Sequence, residues 1–111
     1  MVDVVDAFIC GLERPLILWL LQEKPRHGYE LLKELKRLTG QKLKPSTLYP
    51  FLYWLEDEGF VAGKWVRRGR RELKYYSLTG KGRGLLLKVR ELFNKPIREV
   101  IADLLSATRK E

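Results

Sequence analysis

The hydrophobic pattern of this sequence changes its period at Gly59. Before that residue, apolar side chains recur at every third or fourth position, which is the spacing of amphipathic helices. After it, β-branched and aromatic residues fill positions 60–66 and 73–78, with a glycine-containing loop between the two runs. The sequence therefore predicts several helices, then one β-hairpin, and then a return to helix after Thr79.

Two helices are predicted at the start of the chain. The first runs through apolar positions in 4–21, and Pro15 is expected to break or kink it. A turn at 24–28, marked by a proline and a glycine, leads to the second helix, which ends at Gly40. The inward residues of this second helix are predicted to be Leu31, Leu32, Leu35 and Leu38.

A third helix is predicted to begin near Pro45 or Ser46, a good first-turn residue and a good N-cap respectively. Apolar residues at the i, i+3, i+4, i+7 spacing define its buried face, and Gly59 ends it. The residues of this face are Leu48, Phe51, Leu52 and Leu55.

A further helix is predicted after the hairpin, with Thr79 as its cap. Its apolar stripe starts at Leu85 and resumes beyond Pro96 as far as Leu105, so Pro96 is expected to kink or split it. The stripe is longer than the core of a small domain needs, and exposed apolar stripes usually mark association. We therefore predict a homodimer; the alternative is a monomer whose last helix folds back on its own core. The predicted dimer contacts are Val89, Leu92, Phe93, Ile97, Val100, Ile101 and Leu104.

The order of helix, helix, helix, hairpin, helix predicts an α+β fold that is mostly α. Three helices followed by a hairpin form a winged helix-turn-helix, here with a C-terminal dimerisation helix. Residues 1–84 are expected to form the winged-helix DNA-binding domain with an N-terminal helical extension, and residues 85–111 the dimerisation helix. The segment 4–12 has spare apolar surface, which also favours a closed two-fold dimer.

The positive charge of the chain is concentrated in the hairpin. The net charge is +8, and residues 60–84 hold eight basic residues and one acidic residue, which is +7 of that total. A focused positive patch is typical of a protein that binds a polyanion. The alternative is a generally basic surface that keeps the protein soluble. The hairpin cations predicted to contact DNA are Arg67, Arg68, Arg70, Arg71 and Lys74.

The third helix of a winged helix enters the major groove of DNA, and the hairpin, or wing, lies on the flanking backbone. The exposed face of this helix is neutral near its start, with hydroxyl and phenol groups that can bond phosphates or base edges. Its other end carries the acidic run 56–58, which would repel phosphate, so the N-terminal end is predicted to face DNA. Alternatively, the phenols pack against the wing or a partner subunit. The groups concerned are Lys44, Ser46, Tyr49 and Tyr53.

The wing arginines leave two modes of DNA contact open. Guanidinium groups suit bidentate bonds to phosphate, and they also suit insertion into a narrow minor groove. A solvated loop that contacts nothing is the remaining alternative. A hairpin tip with so many like charges repels itself, and an anionic partner would relieve that repulsion.

Four motifs follow one another along the chain: Pro25–Leu31, Ser46–Leu52, Leu55–Val61 and Lys74–Gly82. In this order and spacing they resemble the PadR (phenolic acid decarboxylase repressor-like) family of regulators, over about residues 14–88. The resemblance implies a winged-helix homodimer that binds a pseudo-palindromic operator, usually as a repressor. It further implies that the helix with Ser46, Thr47 and Tyr49 reads DNA, that the wing contacts backbone or minor groove, and that the C-terminal helix packs across the dimer.

Enzymatic and membrane functions find little support in the sequence. His27 and Cys10 are the only histidine and cysteine, which favours neither a catalytic pair nor a metal site, and no cofactor is predicted. No apolar run approaches the roughly 20 residues that span a bilayer. The acidic N-terminus does not resemble an export signal, and the lone cysteine favours a reducing compartment, so a cytoplasmic location is expected.

Other binding functions stand beside that of a sequence-specific regulator. A winged helix can also bind nucleic acid without sequence preference, or bind another protein, although a protein-binding module favours an uncharged wing. Trp19, Trp54 and Trp65 have two interpretations. They line a pocket for a small planar aromatic effector at the dimer interface, as aromatics do in some PadR-like proteins, or they are core and interface residues.

Overall fold

Five helices and three strands form the part of the chain that the structure describes. The structure, a computed structural model, covers the backbone of residues 4–106 and the side chains of residues 11–106. The fold is mostly helical, as predicted, while the predicted apolar side chains of 4–10 lie outside the described residues. In chain order the elements are α1 (Val4–Glu23), β1 (Arg26–His27), α2 (Gly28–Thr39), α3 (Pro45–Asp57), β2 (Val61–Arg68), β3 (Arg71–Leu78), α4 (Gly80–Phe93) and α5 (Ile97–Leu105).

The core lies between α1, α2, α3, the start of α4 and the root of the β2–β3 hairpin. The predicted buried face of α3 is confirmed, with its three leucines almost fully buried and Phe51 partly buried against them. Leu38 departs from the prediction and is 39% exposed, because it lies in the last turn of α2, beyond Leu35. The buried apolar residues are Ile17, Leu18, Leu20, Leu21, Leu31, Leu35, Leu43, Leu48, Leu52, Leu55, Val61, Tyr76, Leu78 and Leu86.

The first helix is continuous through Pro15, so the predicted break does not occur. A proline inside a helix removes one backbone donor and costs about 3 kcal/mol. The turn that follows buries Ile17, Leu18 and Leu20 in the core. Burial of such side chains contributes about 1.5–3 kcal/mol each, which outweighs the cost of the proline.

A short strand, β1, occupies part of the segment predicted to be only a turn. It pairs antiparallel with β3, Arg26 opposite Tyr76 and His27 opposite Tyr75, so the sheet order is β1-β3-β2. The buried Arg26 also closes the end of α1, since its Nε donates to the Leu20 carbonyl at 3.1 Å and its guanidinium pairs with a glutamate of the last turn, Glu23, at 2.8 Å. The sequence prediction missed β1 because two residues are too few to show an alternating pattern.

The hairpin is longer, and its loop shorter, than the sequence predicted. The ladder between β2 and β3 runs from the pair Val61 and Leu78 to the pair Arg68 and Arg71. Only two residues, Gly69 and Arg70, therefore form the turn, and three of the arginines predicted for the loop lie in strands. The glycine has φ +64°, the conformation that a two-residue turn requires at its first central position.

The root of the hairpin is tied to both neighbouring helices. Gly59, with φ +82°, ends the helical segment that leads into β2. Thr79 caps α4 as predicted, because its hydroxyl accepts from the Gly82 amide at 3.1 Å, and it lies 2.6 Å from the Gly59 carbonyl, to which it donates. Lys81 donates to the Glu58 carbonyl at 2.6 Å. These bonds satisfy carbonyls at the end of α3 and fix where the wing leaves the core.

The C-terminal helix is split, as Pro96 predicted. α4 ends at Phe93 and α5 begins at Ile97. The expected domain boundary between residues 84 and 85 falls inside α4, whose Leu86 is buried in the core. α4 therefore belongs to the winged-helix core at its start and leaves that core toward its end.

Two glycines of α4, Gly82 and Gly84, form a matched pair for a test of the packing. A Cβ at Gly82 would overlap the carbonyl oxygen of Phe60 and the side chain of Leu78, whereas one at Gly84 would meet open space. We expect Gly82→Ala to destabilise the fold by about 1–3 kcal/mol through overpacking. Gly84→Ala should stabilise it by about 0.5–1 kcal/mol through helix propensity. Urea unfolding measures both, and equal stability of the two variants would contradict the described packing.

Candidate nucleic-acid interface

The N-terminal end of α3 is open to solvent. Lys44 is the N-cap residue with an extended backbone and makes no side-chain cap, and Pro45 occupies the first turn, where no acidic residue lies. Ser46 and Thr47 are exposed next to them. The exposed first turn of α3 therefore carries no acidic residue of its own that would offset the positive end of the helix.

Two tyrosines continue from this end along α3. Tyr49 is half-buried and packs so closely on Gly28, the first residue of α2, that a Cβ on that glycine would overlap its ring. Tyr53, one turn further, is 52% exposed, and the two ring centroids lie 6.2 Å apart. Both predicted contact residues thus share one face, but Tyr53 offers much more of its surface than Tyr49.

The four wing arginines are exposed, and within residues 11–106 none of them is in an ion pair. Arg68 faces Arg71 directly across the strands, an arrangement of like charges that destabilises a hairpin. Arg68 also lies over the ring of Tyr75 at 5.6 Å. The pairing register of β2 and β3 therefore places two like charges opposite each other at this end of the wing.

Lys74 lies elsewhere in the wing, with its ammonium turned to α3. Its Nζ is 2.8 Å from Oε1 of Glu56, and this hydrogen bond raises the pKa of the lysine above its usual value. The rings of Tyr53, Trp65 and Tyr76 surround the same ammonium at 5.3–5.9 Å. Unlike the arginines, this predicted DNA contact already has an anionic partner within the chain.

A cleft of about 790 Å3 lies between the first turn of α2, the exposed face of α3 and the wing. It brings the predicted tyrosines together with two of the predicted arginines. His27 and Tyr29 were not predicted as site residues, and pairing of β1 with β3 carries them to the cleft. Trp65 was predicted only as part of an effector pocket or as a core or interface residue. The lining residues are His27, Gly28, Tyr29, Tyr49, Tyr53, Trp65, Arg68, Arg71, Glu72, Leu73, Lys74 and Tyr76.

The three tryptophans do not form a common pocket within the described residues of one chain. Trp19 lies in α1, and Trp54 stacks between Phe51 and Phe60 with ring centroids at 6.1 and 5.8 Å. The cleft contains Trp65 alone of the three. An effector pocket at a dimer interface stays a hypothesis.

An apolar stripe is exposed on the end of α4 and on α5. α5 has no buried residue, and Val100 and Leu104 are 61% and 67% exposed. Val89 and Ile101 are partly buried. The other predicted dimer residues, Leu92, Phe93 and Ile97, are exposed.

Neither a metal-ligand cluster nor a membrane-spanning helix is found among the described residues. No group of three or more histidine, cysteine, aspartate or glutamate side chains in that part of the chain is placed to hold a metal ion. No helix there is both long and apolar enough to cross a membrane.

The cross-strand pair of Arg68 and Arg71 predicts opposite effects of one substitution on stability and on binding. Arg71→Glu places a carboxylate opposite Arg68, so we expect it to stabilise the hairpin by about 0.2–1 kcal/mol at low salt. The same change should weaken binding to any DNA duplex and reduce its salt dependence. Thermal unfolding and fluorescence anisotropy test this, with Lys36→Glu on the exposed face of α2 as control. Stability unchanged or lowered by Arg71→Glu would contradict the repulsion.

Comparison with known proteins relates this fold and interface to one family. The model of the transcriptional regulator PadR-like family matches residues 17–88. A transcriptional regulator of Mycobacterium tuberculosis is 32% identical over 83 residues, which are 75% of this chain and 66% of that protein. The negative transcriptional regulator PadR of Bacillus subtilis is 34% identical over 90 residues, which are 78% of this chain and 49% of that protein.

A solved structure extends the match to nearly the whole chain. The crystal structure of a PadR family transcriptional regulator from Eggerthella lenta has a TM-score of 0.73 and 30% sequence identity, and covers 96% of each chain. This chain spans about two thirds of the length of the mycobacterial relative and about half of that of the Bacillus relative. The family model and the winged-helix architecture agree: this chain belongs to the PadR-like family of transcriptional regulators.

Proposed function

We propose that this protein is a sequence-specific DNA-binding repressor that binds a pseudo-palindromic operator as a homodimer. α3 lies in the major groove, and the wing lies on the neighbouring backbone or in the minor groove. The observation that supports this most is the cleft, where Arg68 and Arg71, exposed and in no ion pair within residues 11–106, line the same space as the tyrosines of α3. The name of the Bacillus relative, a negative regulator, supports repression.

The start of α3 has the groups that base reading and phosphate binding require. Three side chains there can each donate and accept a hydrogen bond: the hydroxyls of Ser46 and Thr47 and the phenol of Tyr49. The uncapped helix end attracts phosphate oxygens, and Lys44 adds a full charge beside it. Asp57 and Glu58 lie exposed at the opposite end. This polarity favours an approach with the N-terminal end of the helix directed at DNA.

The wing supplies most of the electrostatic attraction. DNA binding by arginines releases counterions from the phosphates, so affinity falls steeply as salt rises. Phosphates next to the wing would also relieve the repulsion between Arg68 and Arg71. Arg67 and Arg70 extend the same positive surface around the turn.

The exposed stripe on α4 and α5 supports dimerisation. Isologous packing of this stripe on a second copy would bury Val100 and Leu104, which are mostly exposed in one chain. Two copies related by a two-fold axis present two α3 helices. In such dimers these helices lie about 34 Å apart, one turn of DNA, which matches two half-sites on one face of the duplex.

Selection from random-sequence duplexes tests the proposal without knowledge of the operator. The protein is incubated with the pool, bound duplexes are recovered and sequenced, and affinity is measured by anisotropy near physiological salt. We expect one enriched motif with two-fold symmetry, bound about a thousandfold or more tighter than a scrambled duplex. If all duplexes bind equally and affinity falls steeply as salt rises, the protein binds nucleic acid without sequence preference. Absence of binding at low salt would favour a protein-binding module.

Two variants of α5 test whether the protein dimerises through this stripe. Val100→Glu places a charge within the exposed apolar stripe, whereas Ala102→Glu places it on the other side of the same helix. Sedimentation should show that only the first converts the dimer to monomer, and the selected duplex should then be bound weakly or as single half-sites. A Val100→Glu protein that is dimeric and binds normally would contradict dimerisation through this stripe.

A further inference from the structure

We propose that the ion pair between Lys74 and Glu56 is a positioning device, which fixes the wing against α3 at the angle that DNA binding requires. In this role Lys74 acts through Glu56 and the wing backbone, not through a phosphate contact of its own. The inference rests on the proposed function, because it concerns how the two DNA-binding elements are held relative to each other.

The pair is the one hydrogen-bonded bridge between the strands of the wing and α3 within residues 11–106. Lys74 Nζ and Glu56 Oε1 are 2.8 Å apart, and the two side chains are only 23% and 32% exposed. An ion pair so shielded from water is screened less by salt than one at the surface.

Aromatic rings hold the ammonium in place. The centroids of Tyr53, on α3, and Trp65, on β2, each lie 5.9 Å from Nζ of Lys74, and that of Tyr76 lies 5.3 Å away. Cations are attracted to ring faces at such distances. The lysine thus bridges α3 and both strands of the wing, so a change in wing angle would disturb several contacts at once.

Gly63 makes room for the pair. A Cβ at this position would overlap Cε of Lys74 and lie 2.8 Å from Oε2 of Glu56. The glycine does not have a positive φ, so its backbone conformation gives no reason for a glycine here. The close approach of the two charged side chains gives one.

The ion pair lies near the middle of the wing, where a contact to α3 can limit rotation of the whole hairpin. Val61 and Leu78 fix the root of the hairpin in the core, and the turn at 69–70 forms its tip. Lys74 lies four residues from the buried Leu78 and four from Arg70 of the turn, near the middle of β3. At about 3.3 Å per residue, a small rotation at the root moves the tip arginines by several ångströms, unless a contact near mid-strand resists it.

A direct phosphate contact by Lys74 predicts different results from positioning. If the lysine bound phosphate, Lys74→Met would lower the slope of log affinity against log salt by about 0.9. Glu56→Gln would then strengthen DNA binding, because it removes a negative charge and frees the ammonium. Under positioning both variants weaken binding, and neither changes the slope.

The test uses anisotropy on the duplex selected by the wild-type protein, over a range of salt concentrations. We expect Lys74→Met and Glu56→Gln each to weaken binding roughly 3- to 30-fold, the range of coupling through such contacts. The double variant should be no weaker than the worse single one. Gly63→Ala, which leaves both charges in place, should weaken binding to a similar extent. Glu58→Gln removes an acidic charge from the same end of α3 and serves as control, with affinity equal to or above that of wild type.

The outcomes separate this inference from the proposed function. Failure of the wild-type protein to bind any duplex overturns the proposed function. Normal wild-type binding, together with Glu56→Gln binding as tightly as Glu58→Gln, overturns the positioning role. Wild-type affinity of Gly63→Ala would equally contradict the positioning role of the ion pair. Circular dichroism and thermal unfolding check that each variant is folded.

Discussion

The junction between the end of α3 and the root of the wing is the constraint on which the proposed DNA-binding surface depends. Thr79 and Lys81 bond to backbone carbonyls of Gly59, Phe60 and Glu58, so the last turn of α3, the start of β2 and the start of α4 share one set of hydrogen bonds. Burial of the α3 leucines then fixes the axis of that helix. Because helix and wing diverge from one fixed point, the cleft between them has a defined shape.

Stability and binding make opposite demands on the wing. Its tip places like charges opposite each other and keeps all four arginines exposed, which a hairpin selected only for stability would avoid. Its middle is stabilised instead by a shielded ion pair and aromatic rings. The exposed apolar stripe of α5 is a second feature that does not favour the stability of a single chain. Exposed apolar surfaces of this kind are typical of interaction sites such as dimer interfaces.

Hydrophobic periodicity predicted the helices, the hairpin and the buried face of α3, because burial recurs there at a regular spacing. It missed β1, since pairing of a two-residue strand depends on where β3 lies in the fold. The ion pair of Lys74 could not be predicted from charge, because its partner Glu56 is 18 residues away and comes near only when the wing folds back over α3. The length of the turn depended on the backbone of one residue, Gly69.

Amide hydrogen exchange of the protein with and without the selected duplex tests the central claim, that the start of α3 and the wing form one DNA-binding surface. We predict slower exchange in the complex at residues 44–53 and at 67–71 together, with residues 56–58 unchanged. Slower exchange in only one of these two segments, or protection centred on the acidic end of α3, would contradict the claim.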